Sequence, residues 1–166
     1  KNIDISEPFK NLFTQGMVCH ESYKDKKGNG LYPYEITKID SKTAIKNKDN
    51  SKVVIGPPES MSKSKKNTVD TETMIESYGA DAVRWFILSD SPPEKDVQWS
   101  DNGVASSNKF LQKFWNLNLL INNRKEQKVV KMEIDKLNIE IDKLVSRIDD
   151  SINDFKLNVS IALFYE

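Results

Sequence analysis

The 166 residues predict an α/β chain that turns mostly helical toward its end. Three features of the sequence carry that expectation. Short β-leaning runs alternate with turn residues through 23–56, polar caps start new helices after a Pro-Pro break, and from Ile134 to Phe155 apolar residues recur at spacings of three and four.

Taken in order, residues 7–18 read as a short amphipathic helix that enters at Pro8, leaves at Gly16 and carries Phe9, Leu12 and Phe13 on one side. Met17-Val18-Cys19 then reads as a strand. Gly28-Asn29-Gly30 is a turn signal, and the β-leaning pieces 32–39 and 52–55 flank a lysine-rich polar stretch, so 23–56 reads as a small β-rich unit. Gly56-Pro57-Pro58 is expected to break the last of these strands. Asp70 stands as the N-cap of a two-turn helix whose apolar face is Met74, Ile75 and Tyr78 and whose end is Gly79. Asp81 is expected to cap a second helix bearing Ala82, Val83, Trp85, Phe86 and Leu88, which stops before Ser91-Pro92-Pro93. Ser100 or Asp101 starts a third, with a broad stripe from Phe110 to Leu120. The longest helix carries Ile134, Leu137, Ile141, Leu144, Ile148 and Ile152 between charged residues, and Asn158 is read as the cap of another. Only about three heptads are present and no second heptad segment offers a partner, which favours a helical bundle over an extended coiled coil.

The bulk numbers narrow the function classes. Lysine and arginine together number 25, as do aspartate and glutamate, so no general affinity for nucleic acid or membrane follows from net charge. The single cysteine, Cys19, excludes an internal disulfide and fits a reducing compartment, and the apolar runs are too short to span a bilayer. A cytoplasmic protein without a membrane partner is expected. The chain begins at Lys1 and reaches Glu166 within an apolar run that reads as a helix in mid-course, which suggests a piece of something longer.

The chemistry gathers in residues 61–67, Met-Ser-Lys-Ser-Lys-Lys-Asn. Lys63, Lys65 and Lys66 bring three cationic heads, and Ser62 and Ser64 bring two hydroxyls. Such a set suits a polyphosphate better than a packed core, because expelling pyrophosphate requires positive charge where negative charge builds on the leaving group. No Gly-x-x-x-x-Gly-Lys-Ser/Thr pattern precedes it, so it is not a Walker loop, and it is not a dinucleotide fingerprint. By composition alone a lysine- and serine-rich stretch is also an ordinary solvated connector.

The order of residues separates these readings. Ser60-Met61-Ser62-Lys63-Ser64 resembles the Lys-Met-Ser-Lys-Ser signature of class I aminoacyl-tRNA synthetases, and Lys65-Lys66-Asn67-Thr68-Val69-Asp70 follows it. Next comes Tyr78-Gly79-Ala80-Asp81-Ala82-Val83-Arg84, a succession similar to that of the isoleucine, leucine, valine and methionine subgroup. The runs 7–18 (Glu-Pro-Phe-Lys-Asn-Leu-Phe-Thr-Gln-Gly-Met-Val) and 91–104 (Ser-Pro-Pro-Glu-Lys-Asp-Val-Gln-Trp-Ser-Asp-Asn-Gly-Val) are similar to leucyl-tRNA synthetases of the bacterial type.

That resemblance implies an architecture and a set of roles. The fold would be the C-terminal end of a Rossmann-like class I catalytic domain with a small β-rich insert, followed by an α-helical bundle, the anticodon-binding domain. Residues 1–22 would end the catalytic domain and 23–56 would be a leucine-specific-type insert. Residues 57–93 would hold the signature loop and its following helices, and 94–166 would begin the helical domain. The implied activity is that of a leucine–tRNA ligase, which forms leucyl-adenylate from leucine and ATP and transfers leucine to tRNA(Leu). Lys63 would contact the ATP phosphates as the catalytic residue, with Ser60, Met61, Ser62 and Ser64 completing the ATP loop and Lys65 and Lys66 contributing more weakly. Mg2+ is expected to accompany ATP, with no ligand for it assigned in this chain, and the complete enzyme is expected to be monomeric. One position departs from the signature: Ser60 stands where its first lysine is usual. The family's other ATP signature, His-Ile-Gly-His, is absent, so the chain alone is expected to make no adenylate. A valine or isoleucine enzyme and a noncatalytic tRNA-binding module are the alternative readings.

Other residues are read as structural. His20 beside Cys19 supplies too few ligands for zinc, and no metal site is expected. Trp85, Trp99 and Trp115 are read as core or junction packing. Arg84, Lys109, Lys113, Arg124 and Lys125 are basic residues that could meet tRNA phosphates, though exposed cations on helices are usually solvated.

Overall fold

The structure, a computed structural model, describes residues 6–9, 11–124 and 131–166. Its organising element is strand β1 (Val18–Lys24), which has partners on both edges. On one side lies the long antiparallel strand β5 (Lys52–Ser60); on the other, β2 (Gly30–Leu31) covers one end of β1 antiparallel and β6 (Val97–Gln98) covers the other end in parallel. Strands β3 (Ile36–Lys38) and β4 (Ala44–Lys46) extend the sheet beyond β5, giving the order β2-β1-β5-β4-β3. A single 3-10 turn, Pro33–Glu35, separates β2 from β3 and divides what the sequence reads as one β-leaning piece. Its reason is local: Glu35 reaches back to accept from the Tyr32 backbone N–H at 2.9 Å, and Pro33 presets the turn.

Two small cores result. Tyr23, Leu31, Ala44 and Val53 are buried together on one face of the sheet, with Ile36 and Ile55 packed against them. The second joins sheet to helices: Ala82, Phe86, Val97 and Val104, flanked by Ile87, Trp99 and Leu111. Phe86 carries it, because α2 (Ala80–Asp90) crosses α3 (Asp101–Asn122) where Gly103 leaves room for its ring; a Cβ on Gly103 would stand 2.4 Å from the ring edge.

Residues 7–18 do not form the expected helix; among the described residues before β1 the backbone is irregular, and Lys10 lies outside them. So short a segment is marginal as a helix by itself, and here tertiary partners win. Gly16 donates its N–H to the Pro93 carbonyl at 2.9 Å, and Met17 donates to the Asp96 carboxylate at 2.8 Å. The approach is so close that a Cβ on Gly16 would fall 2.1 Å from the Lys95 carbonyl oxygen. Phe13 finds its contact far away, stacked on Phe155 at 4.8 Å, while Leu12 is 90% exposed.

Nor does Gly56-Pro57-Pro58 end a strand: β5 runs through it to Ser60. The prolines are tolerated because β4 pairs only with Lys52 and Val53, which leaves this half of β5 with a free edge. On its paired side the register with β1 shifts between Glu21 and Tyr23, and the bulge absorbs the missing donors.

The caps are mostly as read. Asp70 accepts from the N–H groups of Glu72 and Thr73 at the start of α1 (Thr71–Tyr78), and Ser100 accepts from Gly103 N–H at the start of α3. Asp81 is not a cap: α1 and α2 meet at Gly79, whose φ of 83° suits glycine, and Asp81 sits in the first turn of α2 beside Arg84 at 3.3 Å. Asn158 likewise lies inside α5 (Leu157–Leu163), one residue past its start; Lys156 is the cap position, and the helix closes at Leu163.

Helix α4 (Lys131–Asn153) carries the periodic stripe from Ile134 to Ile152 but stops short of Phe155, which lies beyond its end at a φ of 58°, and the stripe is largely uncovered. Only its last turns pack, on α5, which in turn packs on α2. Of the tryptophans, Trp99 meets Phe86 edge-on and Trp85 stacks on Phe110, as packing residues should, whereas Trp115 is 66% exposed on α3 and packs no core. No helix among the described residues is long and apolar enough to cross a membrane.

Candidate phosphate-binding loop

Residues 61–67 leave the sheet at the end of β5 and return to it before α1. Ser60 is still in the strand, paired with Cys19, and Met61 donates its N–H to the Val18 carbonyl at 3.0 Å. The loop then turns at residues 63–66, with Lys66 N–H donating to the Lys63 carbonyl at 3.2 Å and Lys66 itself at a φ of 57°. The two serines face each other, Oγ to Oγ at 3.1 Å, and Ser62 Oγ accepts from the Lys65 backbone N–H at 3.3 Å. Their hydroxyls thus shape the turn while Ser64 stays exposed.

The three lysines are held differently. Lys65 pairs with Glu59 at 2.7 Å, and that ammonium, with the Ser22 hydroxyl, holds the Glu59 carboxyl below its ordinary range. Lys66 lies over the Tyr32 ring, 5.6 Å from its centroid, and Tyr32 in turn stacks on Tyr34. Lys63 sits at the turn, exposed, and among the described residues it forms no ion pair. Lys65 and Lys66 thus each have a contact within the chain.

The residue that sequence reasoning passes over is Asn67. It is fully buried, 0% exposed, where its neighbours are partly or wholly open. Its Oδ1 accepts from Ser62 N–H at 2.9 Å, and its Nδ2 donates toward the carbonyls of Glu59 at 3.1 Å, His20 at 3.2 Å and Ser60 at 3.4 Å. One side chain therefore closes the loop on itself and fastens it to β1 and β5. Its only signal in the sequence is an amide at the end of a lysine-rich run, just before a helix cap.

Beside the loop, two clefts share His20 and Asp101. One of about 450 Å3 is lined by Tyr34, Thr68, Val69, Asp70 and Met74 with them. The other, about 600 Å3, adds Glu21, Lys38, Gln98 and Trp99. Glu21 is organised within it: burial alone would raise its pKa, but Lys38 at 2.6 Å and the Tyr23 hydroxyl at 3.0 Å hold it below the usual carboxylate range. Among the described residues no three His, Cys, Asp or Glu side chains gather as metal ligands. Of the basic residues, Arg84, Lys109, Lys113 and Arg124 are all exposed, and Lys125 lies outside the described residues.

Residues 50–100, which contain this loop, match the family model of class I tRNA synthetases (I, L, M and V). The chain is 47% identical over 161 residues to the leucine–tRNA ligase of Rickettsia prowazekii, covering 96% of this chain and 19% of that protein. It is 46% identical over 167 residues to that of Rickettsia massiliae (100% and 20%), and 50% identical over 113 residues to that of Azorhizobium caulinodans (68% and 13%). It thus spans about a fifth or less of the length of the curated relatives it matches. Its fold is similar to that in a crystal structure of the ternary complex of Agrobacterium radiobacter K84 agnB2 LeuRS, tRNA and LeuAMS. There the TM-score is 0.63 at 19% identity, over 96% of this chain and 17% of that one. With these relatives all leucine enzymes, the valine and isoleucine alternatives are not favoured, and the chain belongs to the bacterial leucine–tRNA ligases of class I.

Proposed function

We propose that this chain works as part of a leucine–tRNA ligase and that its loop, residues 60–64, stabilises the phosphates of ATP while leucyl-adenylate forms. The observation that carries the reading is the contrast among the lysines: Lys63 is exposed and unpaired among the described residues, while Lys65 and Lys66 are engaged by Glu59 and Tyr32. A cation held on a shaped turn is already placed when charge develops on the departing pyrophosphate, so little reorganisation is needed at that moment. Ser62 and Ser64 hold the turn and offer hydroxyls to phosphate oxygens. Lys65 and Lys66 contribute mainly through the shape they enforce.

The rest of the chain is read with the loop. Residues 1–22 and 57–93 belong to the catalytic domain, 23–56 to a short leucine-specific insert, and 94–166 to the start of the helical domain that lies along tRNA(Leu). The substrates are leucine, ATP with its Mg2+, and tRNA(Leu); the other walls of the leucine pocket and the second ATP signature come from sequence outside this chain.

Lys63→Ala in the complete ligase tests the reading. Loss of one preorganised charge stabiliser is expected to slow leucine-dependent ATP–pyrophosphate exchange about 100- to 1,000-fold, or roughly 3 to 4 kcal/mol of barrier. An unchanged exchange rate removes Lys63 from the mechanism. The 166-residue chain by itself is expected to show no exchange.

A further inference from the structure

We infer that Asn67 is a positioning residue for adenylate formation, acting through Lys63 by fixing the loop in its presenting shape; this rests on the phosphate-loop reading above. Three features carry it. The side chain is completely buried in a loop whose neighbours are not, so its amide has no water to fall back on. Both ends of its amide are partnered, and by backbone groups only: the oxygen accepts from Ser62, and the two N–H donors are shared among the carbonyls of His20, Glu59 and Ser60. These contacts bracket Lys63. Ser62 precedes it by one residue, Ser60 and Glu59 end the strand that delivers it, and His20 ties the whole to β1.

The remaining loop contacts cannot replace this brace. The Ser62 to Ser64 and Ser62 to Lys65 contacts lie within the turn itself and move with it, and the Lys65 to Glu59 pair is solvent-exposed and weak. Among the described residues, Asn67 is the buried side chain that connects Ser62, just before the turn, to the sheet. Removing it leaves Lys63 in place in the sequence but frees it over a wider arc.

The test is a double-mutant cycle in the complete ligase, read by leucine-dependent ATP–pyrophosphate exchange. Asn67→Ala is expected to lower kcat about 100-fold, the size of penalty that a misplacement near 1 Å brings, with the KM for leucine unchanged. Because Asn67 acts through Lys63, the pair Lys63→Ala with Asn67→Ala should be no slower than Lys63→Ala alone. A merely structural role gives the opposite result, multiplied losses together with a raised leucine KM, and overturns the proposal. So does an unchanged rate in Asn67→Ala when Lys63→Ala is slow. An unchanged rate in Lys63→Ala overturns the phosphate-loop reading itself. Should Asn67→Ala not fold, amide hydrogen exchange on the unaltered enzyme decides: Ser62 N–H is expected to exchange at least about 100-fold more slowly than the Lys63 and Ser64 amides, as a bond to a buried side chain requires. Equal exchange at the three overturns the proposal.

Discussion

The sheet-borne loop and the long helix α4 spend their polar and apolar groups in opposite ways. Around residues 59–67 a buried amide, bonded to four backbone groups, takes the place of a hydrophobic core. Along α4 the backbone is perfectly regular, yet Ile134, Leu137, Ile139, Ile141 and Val145 face outward and Ser151 is its only buried residue. Regular local structure and a completed environment are therefore separate achievements. A helix 23 residues long is set out by local repetition, while the loop takes its shape from hydrogen bonds to distant backbone.

The sharpest way to break this comparison is to truncate one apolar side chain in each setting. Phe86→Ala, which empties the junction of α2, α3 and β6, is expected to cost about 3 to 5 kcal/mol in urea unfolding of the chain. Leu137→Ala on α4, where the side chain is 60% exposed, should stay within about 0.5 kcal/mol. A large loss at Leu137 would mean that the stripe is covered in solution. Next in size comes Gly103→Ala. Helix propensity alone favours alanine there, but its Cβ would meet the Phe86 ring at 2.4 Å, so a net loss of about 1 to 3 kcal/mol is expected. A net gain would show that the α2 and α3 junction yields more readily than a packed core.

The smallest effect is a pH dependence confined to the sheet. Burial, and then the hydrogen bond to Glu21, raise the Tyr23 pKa well above that of a free phenol. In the unfolded chain Tyr23 ionises near pH 10, whereas in the fold it stays neutral, so the unfolded state binds fewer protons above that pH and stability falls as pH rises. An ultraviolet titration should find one of the five tyrosines ionising only together with unfolding. Five tyrosines titrating normally in the folded protein would contradict the buried environment of Tyr23.

What could be read from the sequence was local. The Asp70 and Ser100 caps, the Gly79 end of α1 and the α4 stripe from Ile134 to Ile152 follow from contacts three or four residues apart, and the structure keeps them. The loop was legible as chemistry because residue order carried it. Its brace was not, because the His20 carbonyl that Asn67 meets lies 47 residues away. The same cause misled the reading of residues 7–18, where the partners of Gly16 and Met17 are found near residues 93–96. Pro57 and Pro58 broke no strand because an unpaired edge and a bulge, neither visible in one dimension, accommodated them.

The threefold pairing of β1 has a consequence for how the chain is made. Its antiparallel partner β5 is translated some three dozen residues after it, and the Met17 to Asp96 bond that leads into β6 spans 79 residues. At ordinary ribosomal speeds of about 5 to 20 residues per second, the strand waits roughly 4 to 16 s before its second edge can close. During that interval β1 offers an open edge to any passing strand, and the nascent chain depends on its own vectorial order, or on a chaperone, to keep that edge unclaimed.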